Sequence, residues 1–143
     1  MYQKLIIAGH LGKDPEMRYA PNGDPVTSMS VATNRKYTDK SGQKVEETTW
    51  FRVSVWGKQA ETCNQYLKKG SAVLVEGRLQ ADKATGGPRT FTRQDGTSGS
   101  SFEITADPGG VKFLGGAQRE GETSVPSGQA MHDAPADEEN IPF

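Results

Sequence analysis

Two tryptophans and an arginine recur at alternate positions of the segment Thr49–Gly57, a pattern suited to binding unstacked nucleobases. Side chains alternate between the two faces of a strand. One face is apolar, with Phe51, Val53 and Val55. The other carries Trp50, Arg52, Ser54 and Trp56. Each base offers a π-face to an indole, and arginine can pair with phosphate or stack on a base, so the pattern predicts single-stranded nucleic-acid binding. The alternative is that one or both indoles pack against a loop or a subunit partner.

Aromatic residues beside basic ones extend this predicted track. Tyr37 ends the preceding strand close to Arg35, and Phe91 lies between Arg89 and Arg93. Interleaved basic and aromatic residues on neighbouring segments predict a stacking platform within an electrostatic groove. A tyrosine at a strand end is part of the core or rim about as often as it is a ligand contact, so each position alone is weak evidence for binding.

The elements that must position these residues are mostly strands. Apolar alternation predicts strands at Lys4–Ala8, Val26–Tyr37, Val45–Trp56, Val73–Leu79 and Ser101–Ala106, the last continued by Val111–Leu114 after a turn at Pro108–Gly110. A helix is predicted at Lys58–Lys69, with two lysines in its last turn and Gly70 as its stop. Five strands with one helix between the third and fourth is the order of an oligonucleotide-binding (OB) barrel. On periodicity alone, a small β-sandwich is nearly as favoured as the barrel.

Composition and charge divide the chain into a basic body and an acidic tail. Only 33% of the residues are hydrophobic. Residues 1–114 hold 16 Lys and Arg against 12 Asp and Glu, whereas residues 115–143 hold one base against six acids. Beyond residue 114 the composition cannot bury enough apolar surface to offset chain entropy, which predicts disorder. We therefore expect an all-β domain at 1–114, a disordered linker at 115–136 and an acidic tip at 137–143. From charge alone, an ordinary domain with a solubilising tail is equally favoured.

The same residues argue against catalysis and cofactors. The acids of the predicted domain are scattered, Glu46 and Glu47 point to opposite faces, and His10 and His132 lie far apart, so neither a metal site nor the centre of an OB-fold nuclease is expected. Cys63 is the single cysteine and has no ligand-spaced partner. It fits a reducing cytosol, and no apolar run is long enough for a signal or a span, so a cytoplasmic, nucleoid-associated location is expected. A protein-docking module, or one that prefers RNA, is a further alternative.

Several segments, in order, resemble bacterial single-stranded DNA-binding proteins. They are LIIAGHLGKDP at 5–15 with the turn Pro21–Gly23, SVATN at 30–34, TTWFRVSVWGKQAE at 48–61, YLKKGS at 66–71, VEGRL at 75–79 and DEENIPF at 137–143. The resemblance implies an OB barrel that assembles as a homotetramer. It also implies sequence-independent wrapping of single-stranded DNA in replication, recombination and repair.

The resemblance also assigns roles to individual residues. It implies stacking by Tyr37, Trp50 and Trp56 and basic contacts from Lys40, Arg52, Lys58, Lys69 and Lys83. A further stacking tryptophan of the best-known members has Ala84 at the directly aligned position, and we expect Phe91 to replace it across a shifted hairpin. The linker at 115–136 is short for the family.

The chain ends in three acids followed by a small hydrophobic group. These seven residues are Asp137, Glu138, Glu139, Asn140, Ile141, Pro142 and Phe143. A partner could bury Ile141 and Phe143 while basic residues meet the carboxylates, and Pro142 lowers the entropy cost of docking. The resemblance implies that this tip recruits replication and repair enzymes. The alternative is an ordinary frayed terminus.

Overall fold

The alternating segments form seven strands and one helix within residues 1–115, the part of the chain that this computed structural model describes. In chain order the elements are β1 (Leu5–Leu11), β2 (Glu16–Tyr19), β3 (Pro25–Thr38), β4 (Lys44–Trp56), α1 (Lys58–Tyr66), β5 (Ala72–Leu79), β6 (Arg89–Thr92) and β7 (Ser98–Phe113). The predicted disordered linker, apart from residue 115, and the predicted tip lie outside the described residues.

Five strands close into a barrel. Their order is β1-β5-β7-β4-β3, and β3 returns to β1 through the pairs His10↔Ala32 and Leu11↔Val31. All of these pairings are antiparallel except that of β4 with β7. The helix follows β4, the third barrel strand, and precedes β5, the fourth. The predicted five-stranded OB barrel with one helix is therefore confirmed. The short strands β2 and β6 are additions that pair with β3 and β7.

The barrel interior is filled by the inward-facing side chains of these strands together with one face of α1. Its fully buried residues include Met29, Val31, Val53, Val55, Val73, Val75 and Ile104. On α1 the face formed by Ala60 and Cys63 is buried, and so is Leu67, which follows the last helical residue. The hydroxyl of Thr27, itself buried, donates to the Ala60 carbonyl oxygen at 2.7 Å and holds the helix against β3. Burial also raises the pKa of the Cys63 thiol to about 11, which keeps it protonated and unreactive.

The helix is shorter than predicted. It ends at Tyr66, and Lys68 and Lys69 follow it instead of forming its last turn. The reason is that their backbone groups have partners elsewhere: the Lys68 N–H donates to Ser71 Oγ and the Lys69 N–H to Asp14 Oδ1. Gly70 then turns the chain, with φ of 90°, and donates to the Leu11 carbonyl. No helix in the described part of the chain combines the length and apolar character needed to cross a membrane.

The last strand also differs from its prediction. Pro108–Gly110 was expected to be a turn, but β7 runs through it from Ser98 to Phe113. The extra residues are accommodated as an irregularity in the pairing with β5, where the register shifts between Val75 and Gly77. A bulge of this kind inserts residues into one strand while the pairing continues on both sides. Gly109, with φ of 71°, supplies the left-handed conformation that this requires.

Candidate nucleic-acid interface

The outward row of β4 is arranged as its alternation predicts. Trp50 is 52% exposed and Trp56 is 47% exposed, whereas Val53 and Val55 between them are fully buried. Arg52 lies between the two indoles on the same outward face and is also exposed. In the pairing with β3, this row meets small residues, including Ser28 opposite Ser54 and Ser30 opposite Arg52. The prediction that both indoles project away from the core is confirmed.

This row forms one wall of an open groove of about 820 Å³, which we call the indole groove. Its aromatic lining is Trp50, Phe51, Trp56, Phe91 and Phe102. Its charged lining is Lys13, Glu16, Arg18, Arg52, Arg89 and Glu103. Most of its remaining lining is serine and threonine. Of the predicted site residues, the groove therefore brings together Trp50, Arg52, Trp56 and Phe91.

Trp50 lies directly over the backbone of Gly12. A Cβ added at Gly12 would lie 2.5 Å from Cζ3 and 2.6 Å from Cη2 of the indole, far inside van der Waals contact. The Gly12 N–H donates to the Ser30 carbonyl oxygen at 2.9 Å, which anchors this backbone to β3. The absence of a side chain at Gly12 thus sets how deeply the indole sits.

Gly12→Ala is expected to weaken oligo-dT binding about fivefold because the new methyl group displaces the Trp50 ring from its stacking position, a loss of roughly 1 kcal/mol. Trp50 is a surface residue, so the melting temperature should change little. The measurement is oligo-dT affinity together with the thermal melt. Gly87→Ala is the matched control, since a Cβ there meets only Thr85 Oγ1 at 3.6 Å. An unchanged affinity in Gly12→Ala would contradict this role.

Phe91 reaches the groove from the β6–β7 hairpin. In that hairpin Phe91 pairs with Gly99, and a Cβ on Gly99 would lie 2.7 Å from the ring and 2.7 Å from Arg93 Nη2. The Arg93 guanidinium lies 5.4 Å from the centre of the Phe91 ring and donates to the Ser98 carbonyl at 2.7 Å. The hairpin therefore holds an aromatic ring at the groove although Ala84 lies in the preceding loop.

Phe102 was not identified from the sequence as a candidate contact. It is 53% exposed, lines the groove, and its ring centre lies 5.9 Å from that of Phe51. Phe51 and Phe102 are neighbours in the parallel register of β4 and β7. Alternation places Phe102 on the same face as buried Ile104 and so predicts that Phe102 is buried too. Its exposure is evident only from the structure, in which Phe102 is the first residue of β7 that pairs with β4.

The groove carries more positive than negative charge. Lys13 and Arg18, which the sequence did not single out, flank it on the side of β1 and β2, and Arg52 and Arg89 line it with the aromatic residues. Within residues 1–115, Arg89 has an acidic partner, Glu103, at 3.7 Å from its Nε. No ion pair is formed there by Lys13, Arg18 or Arg52. Such cations are available to neutralise phosphates.

Tyr37 and Arg35 lie outside the indole groove, on the arm that β3 and β4 extend beyond the barrel. The Arg35 guanidinium lies 4.5 Å over the Tyr37 ring, and Glu47 accepts hydrogen bonds from Arg35 Nη1 at 3.1 Å and Tyr37 Oη at 3.4 Å. Tyr37 pairs with Val45 and Arg35 with Glu47, whereas Trp50 pairs with Ala32 in the alternate row. The structure therefore does not bring Tyr37 together with the two tryptophans.

The four predicted lysine contacts are also dispersed outside the groove. Lys40 lies at the turn of the β3–β4 arm, where the Ser41 hydroxyl and the Gln43 N–H donate to Asp39 and lower the pKa of that carboxyl. Lys58 begins α1. Lys69 follows the helix, and Lys83 lies in the loop between β5 and β6. Within residues 1–115, no three His, Cys, Asp or Glu side chains gather closely enough to hold a metal ion.

Comparison with known proteins agrees with this geometry. Two single-stranded DNA-binding proteins of Neisseria meningitidis, from serogroups A and B, are each 43% identical over 113 residues. The matches cover 79% of this chain and 60% of the relatives, so the chain spans less than two thirds of their length.

Two solved structures share the fold. A deletion mutant of the single-stranded DNA binding protein from Thermus aquaticus is 30% identical, with a TM-score of 0.61 over 80% of this chain and 51% of that one. A Plasmodium falciparum SSB in complex with ssDNA has a TM-score of 0.63 over 80% of this chain and 96% of that one, at 24% identity. The model of the single-strand binding protein family matches residues 2–114. The chain belongs to the single-strand binding protein family.

Proposed function

We propose that this protein binds single-stranded DNA without sequence dependence, and that it coats and protects it during replication, recombination and repair. The observation that carries the proposal is the exposure of Trp50 and Trp56 on one face of β4, with Arg52 between them, in a groove lined by further cations. Stacking on indoles tolerates any base because every base has a π-face. The phosphates add a sequence-independent electrostatic term. Membership of the family and its DNA-binding relatives supports the same function.

Binding is proposed to extend beyond the groove. Tyr37, stacked on one face by Arg35, is a candidate for a further base at the β3–β4 arm, with Lys40 near the backbone at its turn. Lys58, Lys69 and Lys83 are candidates for phosphate contacts along a strand that passes around the barrel. Because these residues are dispersed, the strand must follow a curved path to reach them, which agrees with wrapping.

We also propose a homotetramer. One edge supports assembly: β1 pairs with β5 from Leu5 to His10, but with β3 only at His10 and Leu11. Its other edge is therefore open at Leu5–Ala8 within the described residues, and Ile6 there is 57% exposed. An open edge with an apolar side chain is a site at which a second strand can pair. Mass measurement in solution tests the assembly.

In the proposed organisation, residues 1–114 form the DNA-binding domain and residues 137–143 form a tip that recruits partner proteins. Residues 115–136 are the linker between the two. Deleting Phe143 is expected to abolish partner capture because it removes the hydrophobic anchor and moves the terminal carboxylate, while DNA affinity stays unchanged or rises slightly. The measurement is the set of replication and repair enzymes retained on oligo-dT beads coated with each protein. Ser127→Ala, in the linker, is the control. Equal retention by the shortened chain would remove the tip from the proposal.

The proposed function is tested with labelled oligomers of equal length, single-stranded and duplex, at two salt concentrations. We expect strong preference for the single strand and affinity that falls as salt rises, because counterions are released on binding. Equal affinity for duplex would contradict the proposal. Metal-dependent cleavage of the labelled strand that follows the purified protein would favour a nuclease, and tighter binding to the matching RNA would favour an RNA-binding module.

A further inference from the structure

The Arg93 side chain lies behind the Phe91 ring on the β6–β7 hairpin. Phe91 and Arg93 are two positions apart, so their side chains share one face of the hairpin. The Arg93 guanidinium lies over the ring, 5.4 Å from its centre. Phe91 lines the indole groove, whereas Arg93 does not. The guanidinium therefore covers one face of the half-exposed ring and leaves the other face for a base.

Gly99 leaves the space that these two side chains occupy. It pairs with Phe91 across the hairpin. A Cβ at Gly99 would lie 2.7 Å from Phe91 Cζ and 2.7 Å from Arg93 Nη2. Both side chains therefore cross over the Gly99 backbone, as expected where a strand glycine permits a close approach. Any side chain at this position would displace at least one of them.

The loop of the hairpin holds the Arg93 guanidinium in place. Arg93 Nη1 donates to the Ser98 carbonyl oxygen at 2.7 Å and to Thr97 Oγ1 at 3.4 Å. The Thr97 hydroxyl, at 2.7 Å, and the Thr97 N–H, at 2.9 Å, both donate to Asp95 Oδ1 and lower the pKa of that carboxyl. The guanidinium is thus fixed by groups of its own hairpin before any DNA is bound.

We propose that Arg93 is a positioning residue, which acts on DNA through the Phe91 ring and not through a phosphate. β6 has no buried residue, so the core of the barrel does not hold Phe91. The Arg93 guanidinium and the Gly99 backbone hold it instead. Ordering a free side chain on binding costs affinity, and a ring that is already held avoids that cost. This inference rests on the proposed DNA-binding function.

The test is a double-mutant cycle between positions 93 and 91, measured as oligo-dT affinity of the full chain at several salt concentrations. Arg93→Lys keeps the charge but lacks the planar guanidinium, and Arg93→Gln removes the charge. Each should weaken binding about three- to fivefold when Phe91 is present and have no effect in Phe91→Ala, because a positioning residue acts only through the ring that it holds. The salt dependence of Arg93→Gln should match that of the unmodified protein, since no phosphate contact is lost.

Gly99→Ala gives an independent measurement, because it displaces the ring without changing the charge. It should weaken binding about fivefold, again only when Phe91 is present, and it carries the test if the Arg93 variants do not fold. Gly87→Ala is its matched control, since a Cβ there meets only a threonine hydroxyl at 3.6 Å. Its affinity should equal that of the unmodified protein.

Arg18→Lys is the matched control for Arg93→Lys. Arg18 lines the indole groove and, within the part of the chain that the structure describes, forms no cation–π pair. A lysine at this position still neutralises a phosphate, so the affinity should be nearly unchanged.

Two results would overturn the inference while leaving the proposed function intact. The first is an affinity loss in Arg93→Gln that persists in Phe91→Ala, with a salt slope lowered by about one and with Arg93→Lys binding normally; Arg93 would then be a direct phosphate contact. The second is unchanged affinity in Phe91→Ala. Failure of the unmodified protein to bind oligo-dT would instead overturn the proposed function, so the two failures are distinguishable in one set of titrations.

Discussion

Replacing Trp50 or Trp56 with alanine is expected to weaken single-stranded DNA binding by about 5- to 150-fold each, and replacing both by more, while the domain stays folded. The expected loss is that of one stacked base per indole, roughly 1–3 kcal/mol. Folding should survive because both rings are about half exposed and lie on the face opposite Val53 and Val55. Titration of each variant with oligo-dT, alongside a urea melt, measures the two effects separately.

Tyr66→Ala is the matched control for the tryptophan variants. Tyr66 is 64% exposed at the end of α1 and does not line the indole groove. The Tyr66→Ala substitution therefore removes an exposed aromatic ring without removing a proposed DNA contact, and DNA affinity should be unchanged. A tryptophan variant that unfolds, or an affinity loss in Tyr66→Ala as large as in Trp50→Ala, would contradict the assignment of the binding face.

A large effect on stability is expected at Gly77. A Cβ there would lie 2.2 Å from the Thr105 carbonyl oxygen and 2.9 Å from Ala106 Cα, both backbone atoms of the paired strand β7. Because no side-chain rotation can relieve such a contact, Gly77→Ala must separate β5 from β7 and is expected to cost roughly 3 kcal/mol or more. Urea unfolding measures the change in the free energy of unfolding.

The comparison for Gly77→Ala is again Gly87→Ala, which meets no backbone atom within 4 Å and should change the free energy of unfolding by no more than about 0.5 kcal/mol. Gly12→Ala provides a second comparison. Its new methyl group meets the Trp50 side chain and not the backbone of a paired strand, so its effect should appear in DNA affinity and not in the free energy of unfolding. Wild-type-like stability of Gly77→Ala would contradict a close backbone contact between β5 and β7 at this position.

Those features that depend on local alternation could be predicted from the sequence. The two faces of β4 follow directly from the period of a strand, which is why Trp50 and Trp56 were placed outside and Val53 and Val55 inside. The buried helix face at Ala60 and Cys63 follows in the same way from helical spacing. The order of strands and helix alone did not distinguish a barrel from a β-sandwich. The family resemblance was needed to favour the barrel.

Features that depend on partners distant in sequence could not be predicted. Lys68 and Lys69 suit a helix end, but Asp14 and Ser71 take their backbone N–H groups and the helix stops earlier. β6 has no buried residue and so shows no alternation of burial. Lys13 reaches the indole groove only because the barrel brings the turn after β1 close to β4, which no local pattern reports.

The most direct test of the central claim is intrinsic tryptophan fluorescence during titration with oligo-dT, because Trp50 and Trp56 are the only two tryptophans in the chain. If bases stack on these exposed indoles, the emission is quenched to saturation, each single-tryptophan variant retains part of the quenching, and salt shifts the titration to higher oligomer concentration. Emission that stays constant while DNA demonstrably binds would contradict stacking, and with it the proposed use of this face.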